Sequence, residues 1–377
     1  MTYAVSPFTL HQPRTVADVL AVLKAHPDAL YLAGGTDLMV NIRRRIREPK
    51  HVIALKGVAD LRGIRIDGNS KNGDTLTVGA LTTLTELSEH AEVRRRVPAL
   101  AEAAGLVAGP TIRNMATVGG NLVLDTRCRY YNQSFFWRQA NDFCLKAEGS
   151  VCHVAPGGTF CWAAFQGDTA AVWLLLDAAL DLAGPNGTRT VPLREFYGKD
   201  GRWSLGAQAG SGAQSSSGSQ SSNGSQSSKT VPGGLAPGEL ILRVRATLPG
   251  ADWQGVYEKL RVRDSIDYPL VGVALLIRWG AGPQGEGRRM EELRLALTAV
   301  NPRPELLPGT DVFAGQALTP ALVEELKKLA NRAGKPMRTT VSDPAYRRAM
   351  IGALIEKAVG RLAPDIAARY KAQAQWA

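Results

Sequence analysis

The chain runs to 377 residues, 45% hydrophobic and 21% charged, an ordinary globular composition long enough for two or three compact units. Lys and Arg outnumber Asp and Glu by 45 to 34, a net charge of +11, yet aromatics reach only 6% and the basic residues are scattered, which disfavours a base-stacking nucleic-acid surface. The first residues lack a signal peptide's basic head and apolar core, and no run approaches the roughly 18 apolar residues of a membrane span; a cytoplasmic protein is expected, one without structural disulfides.

Short strands and helices alternate through the first half. Residues 29–34 read as a strand ending at a glycine pair, and Leu38, Ile42 and Ile46 mark one face of a helix over 36–46. Strand-like runs follow at 51–55, 63–66 and 75–78. Residues 84–106 predict helix with a break at Pro98. The apolar run 170–182 predicts one buried helix. From 206 to 228 the composition turns to Gly, Ser, Gln, Ala and Asn without a charge, the signature of a flexible linker. Strands at 255–263, 270–279 and 293–300, then helices at 320–333 and 345–371, predict a separate α+β unit.

Two glycine segments carry the first chemical signal. Ala33-Gly34-Gly35-Thr36-Asp37 sits where a strand gives way to a helix, so backbone N–H groups there can approach a phosphate. Taken alone it reads more readily as a plain turn with Thr36 or Asp37 as N-cap. The chain has neither a G-x-G-x-x-G nor a G-x-x-x-x-G-K-[ST] pattern, which disfavours an ordinary dinucleotide fold and a P-loop. The second segment is Gly109-Pro-Thr-Ile-Arg-Asn-Met-Ala-Thr-Val-Gly-Gly-Asn-Leu122.

That second segment resembles the flavin-binding signature of the FAD subunits of molybdenum hydroxylases, the family of xanthine dehydrogenase and CO dehydrogenase medium subunits. The likeness extends to Asp168-Thr-Ala-Ala-Val-Trp-Leu-Leu-Leu-Asp177-Ala and to Tyr257-Glu-Lys259, and covers most of the chain. It implies an α+β protein. A two-lobed, PCMH-type FAD-binding domain (lobes 1–60 and 61–205) would be followed by the linker 206–229 and a CO-dehydrogenase-flavoprotein-like α+β domain over 230–377. The implied FAD contacts are Leu32, Ala33, Gly34, Gly35, Thr36, Asp37 and Leu38, then Gly109, Thr111, Ile112, Arg113, Asn114, Thr117, Val118, Gly119, Gly120 and Asn121, with Asp168 and Lys259. On residue type alone, Asp168 is a helix N-cap and Lys259 a solvated strand lysine.

All four cysteines, Cys128, Cys144, Cys152 and Cys161, lie within one segment. Independent placement would crowd them so closely only on the order of a few times per thousand, which points to a shared ligand. Their C-x15-C-x7-C-x8-C pattern is neither a zinc knuckle nor a ferredoxin run. Inert buried thiols and a zinc site remain open on spacing alone. The cysteines fall in an insertion over 123–167, between the Gly-Gly-Asn motif and the Asp168 helix. With Arg127-Cys128-Arg-Tyr-Tyr and Trp137-Arg138, that insertion resembles the 4-hydroxybenzoyl-CoA reductase branch of the family. The resemblance implies that the four thiolates bind a [4Fe–4S] cluster beside FAD. It further implies partners: a molybdopterin subunit and a [2Fe–2S] subunit in a dimer of heterotrimers, with ferredoxin as electron donor for reductive dehydroxylation to benzoyl-CoA. No catalytic side chain is expected on this chain. The alternatives are an FAD subunit serving a different substrate, and a stand-alone flavoprotein or metal-binding scaffold.

The remaining motifs are sparse. Five histidines form no H-E-x-x-H or i,i+4 pair, which disfavours a mononuclear zinc hydrolase. Tyr130, Tyr131 and Trp137 are expected to pack the insertion, and Tyr197 and Tyr268 are core or strand aromatics that could approach the flavin ring.

Overall fold

A computed structural model describes residues 5–68, 73–204, 233–280, 289–339 and 341–364. The Ser-rich linker expected at 206–229, and residues 365–371 of the expected last helix, lie outside the described residues.

The first lobe is a small parallel sheet of β1 (Thr9–His11), β2 (Leu30–Leu32) and β3 (His51–Ala54), in the order β1-β3-β2. Helix α1 (Val16–Ala25) covers it. Thr15 and Asp18 start that helix with a reciprocal capping box, which satisfies two otherwise orphaned N–H groups. Val19 and Leu23 turn inward onto Ile53, Val58 and Leu61. Helix α2 (Leu38–Arg43) follows the first glycine turn and is shorter than its apolar spacing suggests.

The second lobe contains β4 (Ile64–Asp67) and β5 (Thr75–Gly79). Helices α3 (Leu84–Glu89), α4 (Ala91–Arg96) and α5 (Pro98–Gly105) come next, the last beginning at the expected proline. Short helices α6 (Pro110–Arg113) and α7 (Val118–Leu122) carry the second glycine segment, and α8 (Phe135–Ala140) lies in the insertion. The apolar run read as a single helix divides in two: α9 (Thr169–Leu175), then β6 (Ala179–Gly184). The turn falls at Asp177, whose φ of 50° ends the helix. An unbroken apolar run buried on all sides carries no period to separate helix from strand.

Strand β7 (Gly187–Pro192) and helix α10 (Leu193–Phe196) follow. The five-stranded sheet runs β4-β5-β8-β6-β7, and its central strand is β8 (Leu240–Thr247). Residues 240–247 therefore belong to the second lobe's sheet, where a boundary at 230 had assigned them to the next domain. Val244 pairs with Val78 on one side and Leu180 on the other, contacts that no local pattern announces.

The remaining unit is an antiparallel sheet of β9 (Trp253–Leu260), β10 (Val271–Gly280), β11 (Arg289–Thr298) and β12 (Glu305–Leu306). It is apolar on both faces. Val271, Val273, Leu275 and Ile277 of β10 pack under helices α11 (Pro320–Ala333) and α12 (Pro344–Leu362), while Ala274 and Leu276 join the second lobe's core. Alternation along one strand thus joins two domains. Arg347 of α12 is wholly buried and donates to the carbonyls of Leu270, Met337 and Ala299. Burial lowers its pKa to about 10. No helix among the described residues is long and apolar enough to cross a membrane.

Candidate flavin site and cysteine insertion

The two glycine segments meet. A Cβ on Gly34 would overlap the Met115 carbonyl, so only glycine permits this approach of the lobes, and a Cβ on Gly119 would sit 2.9 Å from the Ala80 carbonyl. Gly35 has a φ of 74°, a left-handed conformation open to glycine. Beside this junction lies a cleft of about 360 Å³.

Of the residues anticipated from sequence, Ala33, Gly34, Gly35, Thr36, Asp37, Leu38, Ile112, Thr117, Gly120, Asn121 and Asp168 line the cleft. The others support it from behind or stand away from it. Arg113 donates to the carbonyls of Val107 (2.8 Å) and Ala108 (3.4 Å), and Asn114 accepts the Thr85 hydroxyl. Val118 is core. Leu32 belongs to β2, Gly109 packs against Ser265 and Ile266, and Thr111 is exposed.

The backbone amides divide unequally. Val118 N–H donates to Thr82, Gly119 N–H to Ala80, and Gly120 N–H to the Thr117 hydroxyl that caps α7. Those amides are committed to the fold. In the first segment, the N–H groups of Gly34, Gly35 and Thr36 meet no acceptor among the described residues. These three residues are half-buried and line the cleft, so their free donors suit an anionic pyrophosphate. The second segment's glycines serve the close packing that shapes the opposite wall.

Asp168 and Lys259 take positions that residue type did not anticipate. Asp168 makes no capping bond at the start of α9. Its carboxylate instead accepts from Tyr257 Oη at 2.9 Å and lies 3.0 Å from Lys259 Nζ. Lys259 is 1% exposed and also donates to the Leu106 carbonyl. Asn121 Oδ1 accepts from both the N–H and the hydroxyl of Thr169, at 3.2 and 2.6 Å, fixing the Gly-Gly-Asn motif to α9.

Several cleft residues escaped the sequence reading: Arg47, Asp125, Gln166, Ser204 and the segment around Gly234–Glu239. Tyr31 donates to the Glu239 carbonyl at 2.6 Å, holding that segment over the cleft. Its glycines at 233, 234 and 238 all have positive φ, a turn signal that Pro232-Gly-Gly-Leu-Ala-Pro-Gly238 does carry. Tyr268 is neither core nor strand: it is 53% exposed in the loop before β10 and lines the cleft, as an aromatic near the flavin ring would. Tyr197 is fully enclosed and donates to the Leu122 carbonyl.

The insertion leaves the lobe through one neck, where Arg127 and Ala164 exchange both backbone hydrogen bonds. That pairing sets Cys128 and Cys161 at the two sides of the neck. Further out, Leu145 N–H donates to the Val151 carbonyl, and the amides of Ala147 and Gly149 converge on the Cys144 carbonyl. This tight loop brings Cys144 and Cys152 to its two ends. Asp142, Phe143 and Glu148 around it all have positive φ, an uncommon concentration of strain. All four cysteines are free thiols, and three are buried. Burial, aided by Cys144, raises the Cys128 thiol; burial against the pull of Lys146 takes Cys161 up to about 12. The N–H groups of Tyr131 and Ala163 point at the sulfurs of Cys128 and Cys161, at 3.3 and 3.5 Å. Donors aimed at sulfur and cations nearby suit thiolates once a metal displaces their protons.

The neck connects to the cleft through charge. Asp125 lines the cleft and lies 2.7 Å from the buried Lys146 Nζ, with Arg47 and Arg127 at 3.7 and 3.6 Å. Burial alone would raise the Asp125 carboxyl, but the three cations outweigh it and hold it well below the usual carboxylate range. The contribution of this group to stability is therefore present above the unfolded value near pH 4 and lost as pH falls below it. Thermal unfolding followed against pH should show that acid loss in the parent and a flatter profile in Asp125→Asn; an unchanged acid limb would assign it to other groups.

A family model described as the FAD binding domain in molybdopterin dehydrogenase matches residues 6–209. The chain belongs to that family. A second model, the CO dehydrogenase flavoprotein C-terminal domain, matches residues 256–362, and strand β8 falls between the two. Among relatives of this FAD-binding family, the carbon monoxide dehydrogenase medium chain of Hydrogenophaga pseudoflava is 28% identical, covering 93% of this chain and 96% of its own. The aldehyde oxidoreductase FAD-binding subunit PaoB of Escherichia coli is 30% identical over 82% of this chain and 86% of its own. A solved carbon monoxide dehydrogenase from Hydrogenophaga pseudoflava superposes with a TM-score of 0.69 at 25% identity, covering 95% of this chain and 98% of that one. The chain is thus an FAD-binding oxidoreductase subunit of the molybdenum hydroxylase family.

Proposed function

We propose that the chain is the FAD and [4Fe–4S] subunit of a 4-hydroxybenzoyl-CoA reductase. The observation that supports this reading is the insertion, whose backbone closures at Arg127–Ala164 and Leu145–Val151 lie next to all four cysteines, Cys128, Cys144, Cys152 and Cys161. Those four sulfurs would hold the cluster. Gly34, Gly35 and Thr36 would hold the FAD pyrophosphate through their unspent amides. FAD exchanges electrons singly or in pairs and an iron–sulfur cluster one at a time, so a subunit carrying both suits electron relay between a one-electron donor such as ferredoxin and partner subunits. The chain's own part is binding and orientation: Arg127 links the neck to Asp37 of the glycine turn at 3.5 Å, and Lys146 with Asp125 locks the neck to the cleft wall. The partners in this reading are a molybdopterin subunit and a [2Fe–2S] subunit, with the substrate handled away from this chain.

Anaerobic purification with iron, sulfide and flavin analysis tests the proposal. Four irons per chain are expected, lost in Cys144→Ser while FAD is retained; unchanged iron in that variant would overturn the ligand set. The names of the relatives favour a second reading, an FAD subunit of a molybdenum hydroxylase that oxidises another substrate. Turnover of 4-hydroxybenzoyl-CoA by the purified complex with a low-potential donor separates the two, since only the first reading expects it.

A further inference from the structure

Three histidines far apart in sequence converge in the first lobe. His11 ends β1, His26 caps the C-terminus of α1, and His51 begins β3. In the parallel register Thr9 faces His51 and His11 faces Ile53, so His11 and His51 project on one side of the sheet. The end of α1 brings His26 over them. The rings of His26 and His51 stack with centroids 3.7 Å apart, and His11 lies 5.2 and 5.4 Å from the two. One ring nitrogen from each residue lies within 4.8 Å of the others, and His11 Nε2 is 3.1 Å from His51 Nδ1.

We propose that His11, His26 and His51 form a binding site for a zinc-class divalent cation, distinct from the cysteine insertion. Nitrogens about 2.0–2.1 Å from a tetrahedral metal stand about 3.3–3.4 Å apart, so the His11–His51 pair, hydrogen-bonded in the metal-free protein, is near that spacing, and the His26 ring, stacked on His51, would turn out of the stack to complete the triangle. Three imidazoles without a carboxylate select zinc, nickel, cobalt or copper over magnesium or calcium, which prefer oxygen. Water would supply the fourth ligand, the three residues being only half-buried. The site also has a structural use. The lobe's sheet has only three short strands, and a core that small gains from a staple joining β1, α1 and β3. Pro27 and Ala29, just beyond His26, line the flavin cleft, so the staple would firm its outer wall.

The test is zinc titration of the full FAD-loaded chain by equilibrium dialysis and metal analysis, with His26→Gln, His51→Gln and Cys144→Ser in parallel. One zinc equivalent is expected to be lost, or weakened at least about 10-fold, in each histidine variant and kept in Cys144→Ser; bound flavin reports that the variants fold. Cobalt added to the parent should give d–d absorption that persists in Cys144→Ser. Equal zinc binding in parent and histidine variants, or a cobalt spectrum abolished by Cys144→Ser, would overturn the site.

Discussion

Replacing Lys259 by methionine is expected to destabilise the chain by about 3–5 kcal/mol, the cost of breaking a buried ion pair from one side. Lys259 and Asp168 are 1% and 3% exposed in their side chains, so water cannot replace the lost partner. Burial already pushes the Asp168 carboxyl above its ordinary value with Lys259 beside it; without the cation, the carboxyl must take up a proton or the fold must open. The Leu106 carbonyl loses its donor at the same time. Because Asp168 borders the flavin cleft, flavin retention should fall as well. Lys259→Met combined with Asp168→Leu should recover most of the loss, since an apolar pair leaves no orphaned charge. Urea unfolding of the two variants decides: a loss below about 1 kcal/mol in Lys259→Met would mean that the pair is solvated.

The second large effect is at Gly34. Gly34→Ala should cost about 3 kcal/mol, the upper range for overpacking, because its Cβ would strike backbone rather than a side chain that could move. The two glycine segments would have to separate, and the unspent amides of Gly34, Gly35 and Thr36 would shift with them. FAD per chain after gel filtration should drop severalfold. Gly157→Ala is the control: a Cβ there meets nothing within 4 Å, and flavin content should not change. Equal flavin content in both variants would sink the account of the cleft.

Both effects depend on contacts between segments far apart in the chain, and that marks the limit of what could be read from sequence. Local regularities gave the helix at 320–333, the proline break before α5, the glycine turn and the strands β2 to β5 and β9 to β11, because each rests on spacing or on a residue's own φ preferences. The crowding of four cysteines into one insertion and the long Thr-Ile-Arg-Asn-x-Ala-Thr-Val-Gly-Gly-Asn segment were equally plain. What no window contained was partnership. Lys259 looked solvated until Asp168, 91 residues away, was set against it. Residues 240–247 gained a sheet only when β5 and β6 closed on either side, and three unremarkable histidines met only once β1 was paired beside β3 under the end of α1. Composition and short-range pattern determined the periodic helices, the alternating strands and the glycine and cysteine segments that bear chemistry. Tertiary structure decided which amides, charges and rings are left to use, because desolvation and hydrogen-bond satisfaction depend on neighbours that the chain supplies from a distance.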